Sequence, residues 1–477
     1  MEFAAPKGLM HLQITRKIRQ IIFCVIAAVL VYETDDENLL LGISVFLSIV
    51  SFLTVRFSTA ERAKRNKSWG MFYLSLAYIM LAIIFFDGYK WIIFISIVVF
   101  ALADSIGALS GTFFSKKFFH ITSDKKSILG SLTFASVFFF VLLLTGYSSD
   151  IFHGLDEKFV LHPNLYFVIA AVVISVIITV FEAISSKGAG NIIIPLVTAY
   201  FLYLFINQNN AGLLLDFMVG LILAAIVAGI SYKVKFLTLN GSVATFLLAG
   251  FIFGLGGLKW SVPMLTFFIL SSLLSKLRKK NNEEVETYFE KTGVRDYMQV
   301  IANGGLGGVL VILNSVNYNE LYFLLYLSML AAVCADTWAT EIGTWRKTVT
   351  YNILNFQKTT QGVSGGISLP GTAGAFLGSF VISLSGVYWI HFDLVIYFIL
   401  VLFAGVFGSL FDSFIGATIQ AQNKCVVCKK VTERKLHCGE ITKHFKGLIW
   451  INNDIVNMLA GLAGAGLLLL FKSLVKI

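Results

Sequence analysis

Residues 91–107 read WIIFISIVVFALADSIG, an apolar run that ends in an aspartate, a serine and a glycine. A run of this kind is long enough to cross a bilayer as a helix. Two later stretches have a similar pattern, with an aspartate followed by a hydroxyl residue: residues 335–339 read ADTWA and residues 411–416 read FDSFIG. Because a carboxylate inside a membrane helix is costly unless it faces a polar cavity or an ion, the repeats predict a duplicated polar site. Its aspartates are Asp104, Asp336 and Asp412.

The composition of the whole chain supports this interpretation. Of the 477 residues, 57% are hydrophobic and 13% are charged, a balance typical of polytopic membrane proteins. The sequence predicts an all-α fold, a polytopic transmembrane helical bundle of about 15 helices. The helices centre near residues 25, 46, 78, 98, 137, 173, 199, 221, 247, 267, 306, 329, 380, 403 and 463. The first apolar run ends in the acidic stretch 33–37 and not in a small-residue cleavage site, so we expect no cleaved signal peptide.

Basic residues concentrate in alternate loops, and this pattern predicts the topology. The formal net charge is +10, yet lysines and arginines cluster in loops such as 56–67, 276–295 and 424–446, while intervening loops such as 33–37 and 150–157 are acidic or neutral. The positive-inside rule then places the N-terminus in the cytoplasm and the C-terminus outside. The pattern argues against nucleic-acid binding and favours contact with anionic lipid. We expect an integral protein of a prokaryotic cell membrane, with its polar motifs on the cytoplasmic side.

The apolar pattern breaks at residues 206–210, which read INQNN. We predict two membrane domains, 1–206 with about seven helices and 212–477 with about eight. Three features recur in both halves in the same order: an intramembrane aspartate, a lysine followed by Ser/Thr and Gly, and an asparagine at a helix start. The order indicates two related sites, although chance similarity between glycine-rich membrane sequences is the alternative.

The lysine-bearing stretches and the asparagines are candidates for binding phosphate. Backbone N–H groups at a helix start attract an anion, and a lysine neutralises it. Neither stretch is a Walker A sequence, and a basic membrane edge formed by snorkelling side chains is the alternative. The candidate nucleotide- and phosphate-binding residues are Lys125, Lys126, Ser127, Gly130, Ser131, Asn191, Lys358, Ser364, Gly365, Gly366, Asn453, Asp454 and Asn457.

The carboxylates at the helix ends are candidates for catalysis. A carboxylate facing a phosphate site binds Mg²⁺ or accepts the proton of an attacking hydroxyl. The alternative is a polar packing group satisfied by neighbouring helices. The candidate catalytic residues are Asp104, Glu182, Asp336, Glu341 and Asp412, of which Asp104, Asp336 and Asp412 are the expected Mg²⁺ ligands.

A cysteine-rich stretch lies in the longest polar excursion, residues 420–453. Cys425 and Cys428 are followed by the adjacent pair His437 and Cys438. These residue types suit a tetrahedral structural Zn²⁺, although two neighbouring ligands are awkward to converge. Redox-active or simply reduced cytosolic thiols are the alternatives.

The first half, over residues 12–205, resembles the phytol kinase/dolichol kinase family of CTP-dependent polyprenol kinases. The likeness is carried by Arg16-Lys17, 103–108, 125–131, 181–185 and 191–197. The chain departs from that family at two positions. Gln20 stands where histidine is usual, and Gly190 stands where an aspartate often precedes Asn191, which removes a carboxylate from the implied nucleotide–metal site.

The second half, over residues 212–474, is similar to the phytyl-phosphate kinase family of integral membrane proteins. The matching stretches are 237–241, 335–343, 362–368, 408–420 and 453–457. The two resemblances together imply a fusion that phosphorylates a prenyl alcohol, such as phytol, geranylgeraniol or farnesol, to the monophosphate and then to the diphosphate. They also imply CTP or another nucleotide as phosphoryl donor, with Mg²⁺. The alternatives are a lipid-phosphate cytidylyltransferase, which needs the same parts, and a transporter, suggested by the many helices and the repeats.

Overall fold

The computed structural model describes residues 7–57, 69–147, 164–281, 294–391 and 393–475. These residues contain thirteen α-helices. The helices are α1 (Lys7–Glu33), α2 (Glu37–Arg56), α3 (Gly70–Phe114), α4 (Ile128–Tyr147), α5 (Leu165–Ile184), α6 (Gly190–Phe201), α7 (Ala211–Lys233), α8 (Leu239–Asn281), α9 (Tyr297–Val316), α10 (Glu320–Gly343), α11 (Leu369–Gly386), α12 (Leu394–Thr418) and α13 (Asn453–Val475). A π-helical segment, Leu202–Asn207, extends α6, and a 3₁₀ turn, Val387–Trp389, extends α11.

The predicted all-α membrane bundle is confirmed. Within the described residues, twelve helices are long and apolar enough to cross a membrane. Helices α3 and α8 have 45 and 43 residues, about twice a bilayer crossing, and each bends at a non-helical point, Asp87–Tyr89 in α3 and Gly257 in α8. Each therefore contains two of the predicted apolar segments. All the predicted segment centres lie in helices, that of α1 included.

The chain forms two compact units, Met1–Leu215 and Asp216–Ile477, and the boundary between them falls inside α7. In the first unit, α3 packs against α1, α2, α4 and α6. A short antiparallel hairpin of β1 (Phe118–His120) and β2 (Lys125–Ser127) connects α3 to α4. The predicted basic stretch therefore is a strand that leads directly into the start of α4.

In the second unit, α10 is the central helix and packs against α8, α9, α11, α12 and α13. Small residues permit this close packing. A Cβ atom added to Gly374 of α11 would lie 2.6 Å from the carbonyl oxygen of Trp338, and one added to Gly378 would lie 2.8 Å from that of Cys334. The α10 segment that carries Asp336 is therefore held against the start of α11.

Short strands connect the helices of the second unit. Between α10 and α11, a three-stranded sheet has the order β4-β3-β5. Between α12 and α13, a second three-stranded sheet has the order β10-β6-β7 and a two-stranded hairpin pairs β8 with β9. The strands are β3 (Thr350–Asn352), β4 (Lys358–Thr359), β5 (Gly366–Ile367), β6 (Gln422–Lys424), β7 (Val431–Thr432), β8 (Leu436–His437), β9 (Glu440–Ile441) and β10 (Lys443–Lys446). The first connection bears the glycine-rich loop, and the second bears the four cysteine and histidine candidates.

Candidate functional site

A polar cavity of about 230 Å³ lies in the second unit. It is enclosed by the last turns of α8 and α10, the C-terminal half of α12, the first turns of α9, α11 and α13, and the two connecting loops. Of the residues predicted for the second-half site, those that line the cavity are Asp336, Glu341, Asp412, Ser364, Gly365, Gly366, Asn453, Asp454 and Asn457. The structure thus brings all of them except Lys358 around one space.

Asp336 and Asp412 face this cavity from α10 and α12. Within the described part of the chain, the Asp336 carboxylate makes no hydrogen bond or ion pair with another side chain or with the backbone. With its amide nitrogen turned toward the carboxylate, Asn457 donates a hydrogen bond to Oδ2 of Asp412 at 3.3 Å. Among the described residues neither carboxylate has a cationic side-chain partner, and a bound divalent cation stabilises such a pair of carboxylates.

A third carboxylate, Glu433, was not predicted from the sequence. It comes from the loop that carries the cysteines and lines the same cavity as Asp336 and Asp412. Its Oε1 atom accepts hydrogen bonds from Oγ of Ser364 at 2.7 Å and from Nε2 of Gln420 at 2.8 Å. The only available sequence signal was its position between the two pairs of candidate zinc ligands.

Glu341, a predicted catalytic residue, lines the cavity but is engaged on both oxygens. Nε of Arg278 donates to Oε2 at 2.7 Å, and Oγ of Ser275 donates to Oε1 at 2.6 Å. Both members of the ion pair are buried. The arrangement assigns Glu341 to holding the Arg278 guanidinium in place, in contrast to the uncompensated Asp336.

Arg295 is the second arginine in the cavity wall, and sequence reasoning missed it as it missed Arg278. Its backbone N–H donates to the carbonyl oxygen of Phe236, and its own carbonyl accepts from the N–H of Thr238, both at 3.0 Å. A Cβ atom at Gly241 would overlap the Arg295 carbonyl oxygen, so this close approach requires glycine. The 237–241 motif therefore serves to hold Arg295.

The glycine-rich loop lies where the sequence placed it. Nε2 of Gln361 fixes the loop to the end of α10 by donating to the carbonyl oxygen of Gly343 at 2.7 Å. Gly365 has φ +83°, and a Cβ atom added to it would overlap Ala417. A side chain is therefore excluded at this position both by the backbone conformation and by the lack of room. The predicted lysine is elsewhere: Lys358 lies exposed on β4 and does not line the cavity.

A second, apolar cavity of about 50 Å³ lies between residues of α7, α8 and α9. Its walls include Leu248, Ile252, Phe253, Met264 and Phe267. Three residues, Arg295, Gln299 and Asn303, line both this cavity and the polar one. The carboxylate-lined space and the apolar space are therefore adjacent.

In the first unit, the predicted carboxylates are paired with lysines. Asp104 forms an ion pair with Lys17 and accepts a hydrogen bond from Nε2 of Gln20 at 2.6 Å. Glu182 forms an ion pair with Lys126 and accepts from Oγ of Ser131 at 3.3 Å. The structure thus gathers these predicted residues into ion pairs, and Gln20 is a hydrogen-bond donor to Asp104.

The other candidates of the first unit have structural contacts. The side chain of Asn191 donates a hydrogen bond to the carbonyl oxygen of Gly70, the first residue of α3, at 2.9 Å. Oγ of Ser127 accepts from the N–H of Gly130 at 3.0 Å and closes the first turn of α4. The ammonium group of Lys125 lies 4.1 Å from the ring centroid of Phe118 on the paired strand.

The four candidate zinc ligands of the second unit converge. Their ligand atoms, the sulfurs of Cys425, Cys428 and Cys438 and a ring nitrogen of His437, all lie within 4.8 Å of one another. Burial of the Cys425 thiol would raise its pKa, but hydrogen bonds from the backbone N–H groups of Cys428 and Val427 and from the His437 and Cys428 side chains outweigh it and lower the pKa to about 6. The thiolate, which is the metal-binding form, is thus favoured there.

These features define a polytopic membrane protein whose second unit encloses a carboxylate-rich cavity at its helix ends. The chain belongs to the integral membrane protein family DUF92, whose model matches residues 222–465. Protein PGR of Arabidopsis thaliana is 28% identical over 265 residues, which are 50% of this chain and 91% of that protein. The uncharacterized membrane protein MJ0933 of Methanocaldococcus jannaschii is 28% identical over 210 residues, 43% of this chain and 84% of the relative.

A more distant relative is Protein VTE6, chloroplastic, of Arabidopsis thaliana, with 24% identity over 238 residues, 49% of this chain and 64% of that protein. No solved structure matches the chain. The relatives come from a plant and an archaeon, and they support membrane integration without singling out a prokaryotic cell membrane. The fusion of two kinase-like halves stays a prediction.

Proposed function

We propose that the second unit transfers a phosphoryl group from CTP or another nucleoside triphosphate to a prenyl monophosphate, and that the first unit makes this monophosphate from the prenyl alcohol. The observation that carries the proposal is the convergence of Asp336, Asp412 and Glu433 on one cavity. The resemblance of the second half to the phytyl-phosphate kinase family supports it.

The residues present fit magnesium. Mg²⁺ is usually held by one or two carboxylates together with substrate phosphates, and Asp336 and Asp412 supply such a pair, neither of them ion-paired to another described residue. Bound there, the ion would neutralise charge on the nucleotide phosphates. Glu433, whose Oε1 is held by Ser364 and Gln420, adds negative charge to the same space.

Other residues that line the cavity suit phosphate. Arg295 and the backbone of the glycine-rich loop line the cavity, and so do residues of the first turn of α11. Helix α11 begins after the N-cap Ser368, whose Oγ accepts from the N–H of Gly371. A helix N-terminus and an arginine each attract phosphate oxygens, so we infer that these lining residues bind the anion while the carboxylates bind the metal.

The lining of the adjacent apolar cavity suits hydrocarbon, and because its volume of about 50 Å³ is smaller than a prenyl chain, the chain would extend beyond it. Because Arg295 borders both cavities, a prenyl phosphate with its charged group at Arg295 would extend its chain along Leu248 and Phe253. In the reaction, an oxygen of the monophosphate forms a bond to the terminal phosphorus of the nucleotide. The bond from that phosphorus to the bridging oxygen breaks, and nucleoside diphosphate leaves.

For the first unit, the proposal rests on the ion pairs that join Lys17 to Asp104 and Lys126 to Glu182. Its acceptor would be a hydroxyl, which must lose a proton when it attacks. Asp104 is the carboxylate that would accept this proton, and Lys126, whose side chain is 22% exposed, would meet the nucleotide phosphates.

The test uses the purified full chain with Mg²⁺, CTP or ATP, and farnesol, geranylgeraniol or phytol, or the corresponding monophosphate. We expect mono- and diphosphate products with release of nucleoside diphosphate. Asp336→Asn should lower the rate of diphosphate formation by about 100-fold or more. The matched control is Glu320→Gln, at the opposite end of the same helix, where the carboxylate pairs with Lys259.

Two outcomes would replace this proposal. Release of pyrophosphate with attachment of a nucleotidyl group to the lipid phosphate would indicate cytidylyl transfer. Movement of the lipid across proteoliposomes without nucleotide consumption would indicate a transporter.

A further inference from the structure

The four converging cysteine and histidine residues lie at the tips of two β-hairpins in the second unit. In the first hairpin, β6 pairs with β7, with Lys424 opposite Val431, and the loop between them carries Cys425 and Cys428. In the second, β8 pairs with β9, with His437 opposite Glu440, and the turn carries Cys438. Each hairpin therefore contributes two of the four ligand atoms.

The distances suit a tetrahedral ion. Ligands at about 2.3 Å for sulfur and about 2.0–2.1 Å for nitrogen around Zn²⁺ lie about 3.5–3.8 Å from one another. Here Nδ1 of His437 lies 3.5 Å from the Cys428 sulfur and 3.2 Å from the Cys438 sulfur. The backbone N–H of Cys428 donates a hydrogen bond to the Cys425 sulfur at 3.4 Å, so the loop of the first hairpin turns back toward Cys425.

The backbone explains how adjacent residues both become ligands. Cys438 and Gly439 have φ +54° and +80°, and they form the two-residue turn between the paired His437 and Glu440. Positive φ at both central residues is the type I′ hairpin turn, whose first position here is a cysteine. The conformation is uncommon for a non-glycine residue, and it turns the Cys438 sulfur back to the His437 ring.

The loop between the hairpins delivers Glu433 to the polar cavity. Glu433 follows β7, between the Cys428 and His437 ligand positions. Nδ2 of Asn423 on β6 donates to the Glu433 carbonyl oxygen at 3.2 Å, while the side chain reaches Ser364. The position of this carboxylate therefore depends on how the two hairpins are held together.

We propose that Cys425, Cys428, His437 and Cys438 bind one structural Zn²⁺, which clamps the two hairpins and so positions Glu433 at the cavity. With four protein ligands the ion has no open position, so it takes no part in the chemistry. The positioning of Glu433 for phosphoryl transfer rests on the proposed function, whereas zinc binding does not.

Elemental analysis of the full chain, purified under reducing conditions without chelator, is expected to give one zinc per chain. His437→Ala and Cys428→Ser should each lose it. His444→Ala, which removes the exposed histidine of β10 in the same connection, should retain it. Cobalt exchanged into the parent chain should show thiolate-to-metal charge-transfer absorption that Cys428→Ser lacks. Absence of zinc from the parent, or full zinc in His437→Ala, overturns the site.

The positioning role has its own readouts. Stripping zinc from the parent with a chelator should accelerate tryptic cleavage at the exposed Lys429, Lys430 and Lys435, and zinc should restore protection. Unchanged cleavage overturns the clamp. Glu433→Gln should keep one zinc yet lose diphosphate formation, and full activity in this variant overturns the role of Glu433. A zinc-containing chain without kinase activity would refute the proposed function alone, and an active chain without zinc would refute this inference alone.

Discussion

Oγ of Ser364 donates a hydrogen bond to Oε1 of Glu433 at 2.7 Å, and this contact joins the glycine-rich loop to the cysteine-rich loop. The two residues are far apart in sequence and belong to different connections between helices. Gln420, at the end of α12, donates to the same oxygen at 2.8 Å. The carboxylate is thus fixed from two sides, and the wall of the cavity depends on both loops.

Ser364→Ala should loosen this carboxylate. The lost hydrogen bond contributes about 1 kcal/mol, so we expect KM for the nucleotide to rise about fivefold while zinc content is unchanged. Steady-state kinetics with prenyl monophosphate measures the effect. Ser385→Ala, at the other end of α11, is the control, because Oγ of Ser385 bonds only within its own helix. Equal KM values for the two variants would count against the contact.

The two units should be separable by mutation. Asp104→Asn should abolish phosphorylation of the alcohol, because it removes the proposed proton acceptor, and should leave conversion of added monophosphate intact. Asp336→Asn should do the reverse and accumulate monophosphate. Product analysis with both substrates distinguishes them. Loss of both activities from either change in a folded protein would replace the two sites by a single composite site.

Glu341→Gln should destabilise the second unit because it removes the carboxylate that pairs with the buried Arg278 guanidinium. Removing one partner of a buried ion pair costs about 3–5 kcal/mol in free energy of unfolding. Glu320→Gln is the control: its pair with Lys259 is about one quarter exposed, and the expected loss is about 1 kcal/mol or less. Unfolding in detergent mixtures, monitored for both variants, checks the difference.

Ala249→Phe should alter the preference for prenyl chain length. Ala249 is buried and lines the apolar cavity, so an aromatic ring there occupies space proposed for the chain. We expect KM for a twenty-carbon monophosphate to rise about tenfold, with a smaller rise for a short prenyl monophosphate. Ile222→Phe, on an exposed position of α7, is the control. A uniform change across chain lengths would place the hydrocarbon elsewhere.

The predicted topology is testable without an assay of enzymatic activity. Asp35→Cys places a thiol in an acidic loop and should label from outside intact cells with an impermeant reagent. Lys347→Cys, which places a thiol at an exposed position after α10, should not label under the same conditions. The parent chain should not label either. Labelling of Lys347→Cys but not Asp35→Cys would place the polar cavity on the face without cytosolic nucleotide.

The sequence allowed the helices and the helix-borne part of the cavity to be predicted. Spans follow from apolar runs, and an aspartate at the end of such a run is a strong local signal, so Asp336 and Asp412 were found. The non-helical points at Asp87–Tyr89 and Gly257 leave α3 and α8 each as one long helix where two segments were predicted, so the described residues contain thirteen helices instead of about fifteen.

The glycine-rich loop was predicted, but Arg295, Glu433 and the exposed position of Lys358 were not, because tertiary contacts determine where these residues lie. Arg295 reaches the cavity through backbone bonds to Phe236 and Thr238, which no local pattern reveals. Lys358 had the right neighbours in sequence, yet its pairing opposite Tyr351 on β3 leaves its side chain exposed. His437 and Cys438 looked awkward as joint ligands because their convergence requires a backbone turn, which the structure has at Cys438 and Gly439.

Arg295, Gln299 and Asn303 lie between the cavity proposed for the hydrocarbon chain and the cavity proposed for phosphoryl transfer. Under the proposed function, substitutions along Leu248 or Phe253 would change which hydrocarbon fits and would leave Asp336, Asp412 and Glu433 untouched. Members of the family would then be able to differ in the lipid they accept while keeping the same carboxylates. Such independence would let a single scaffold serve organisms whose membranes contain different isoprenoids.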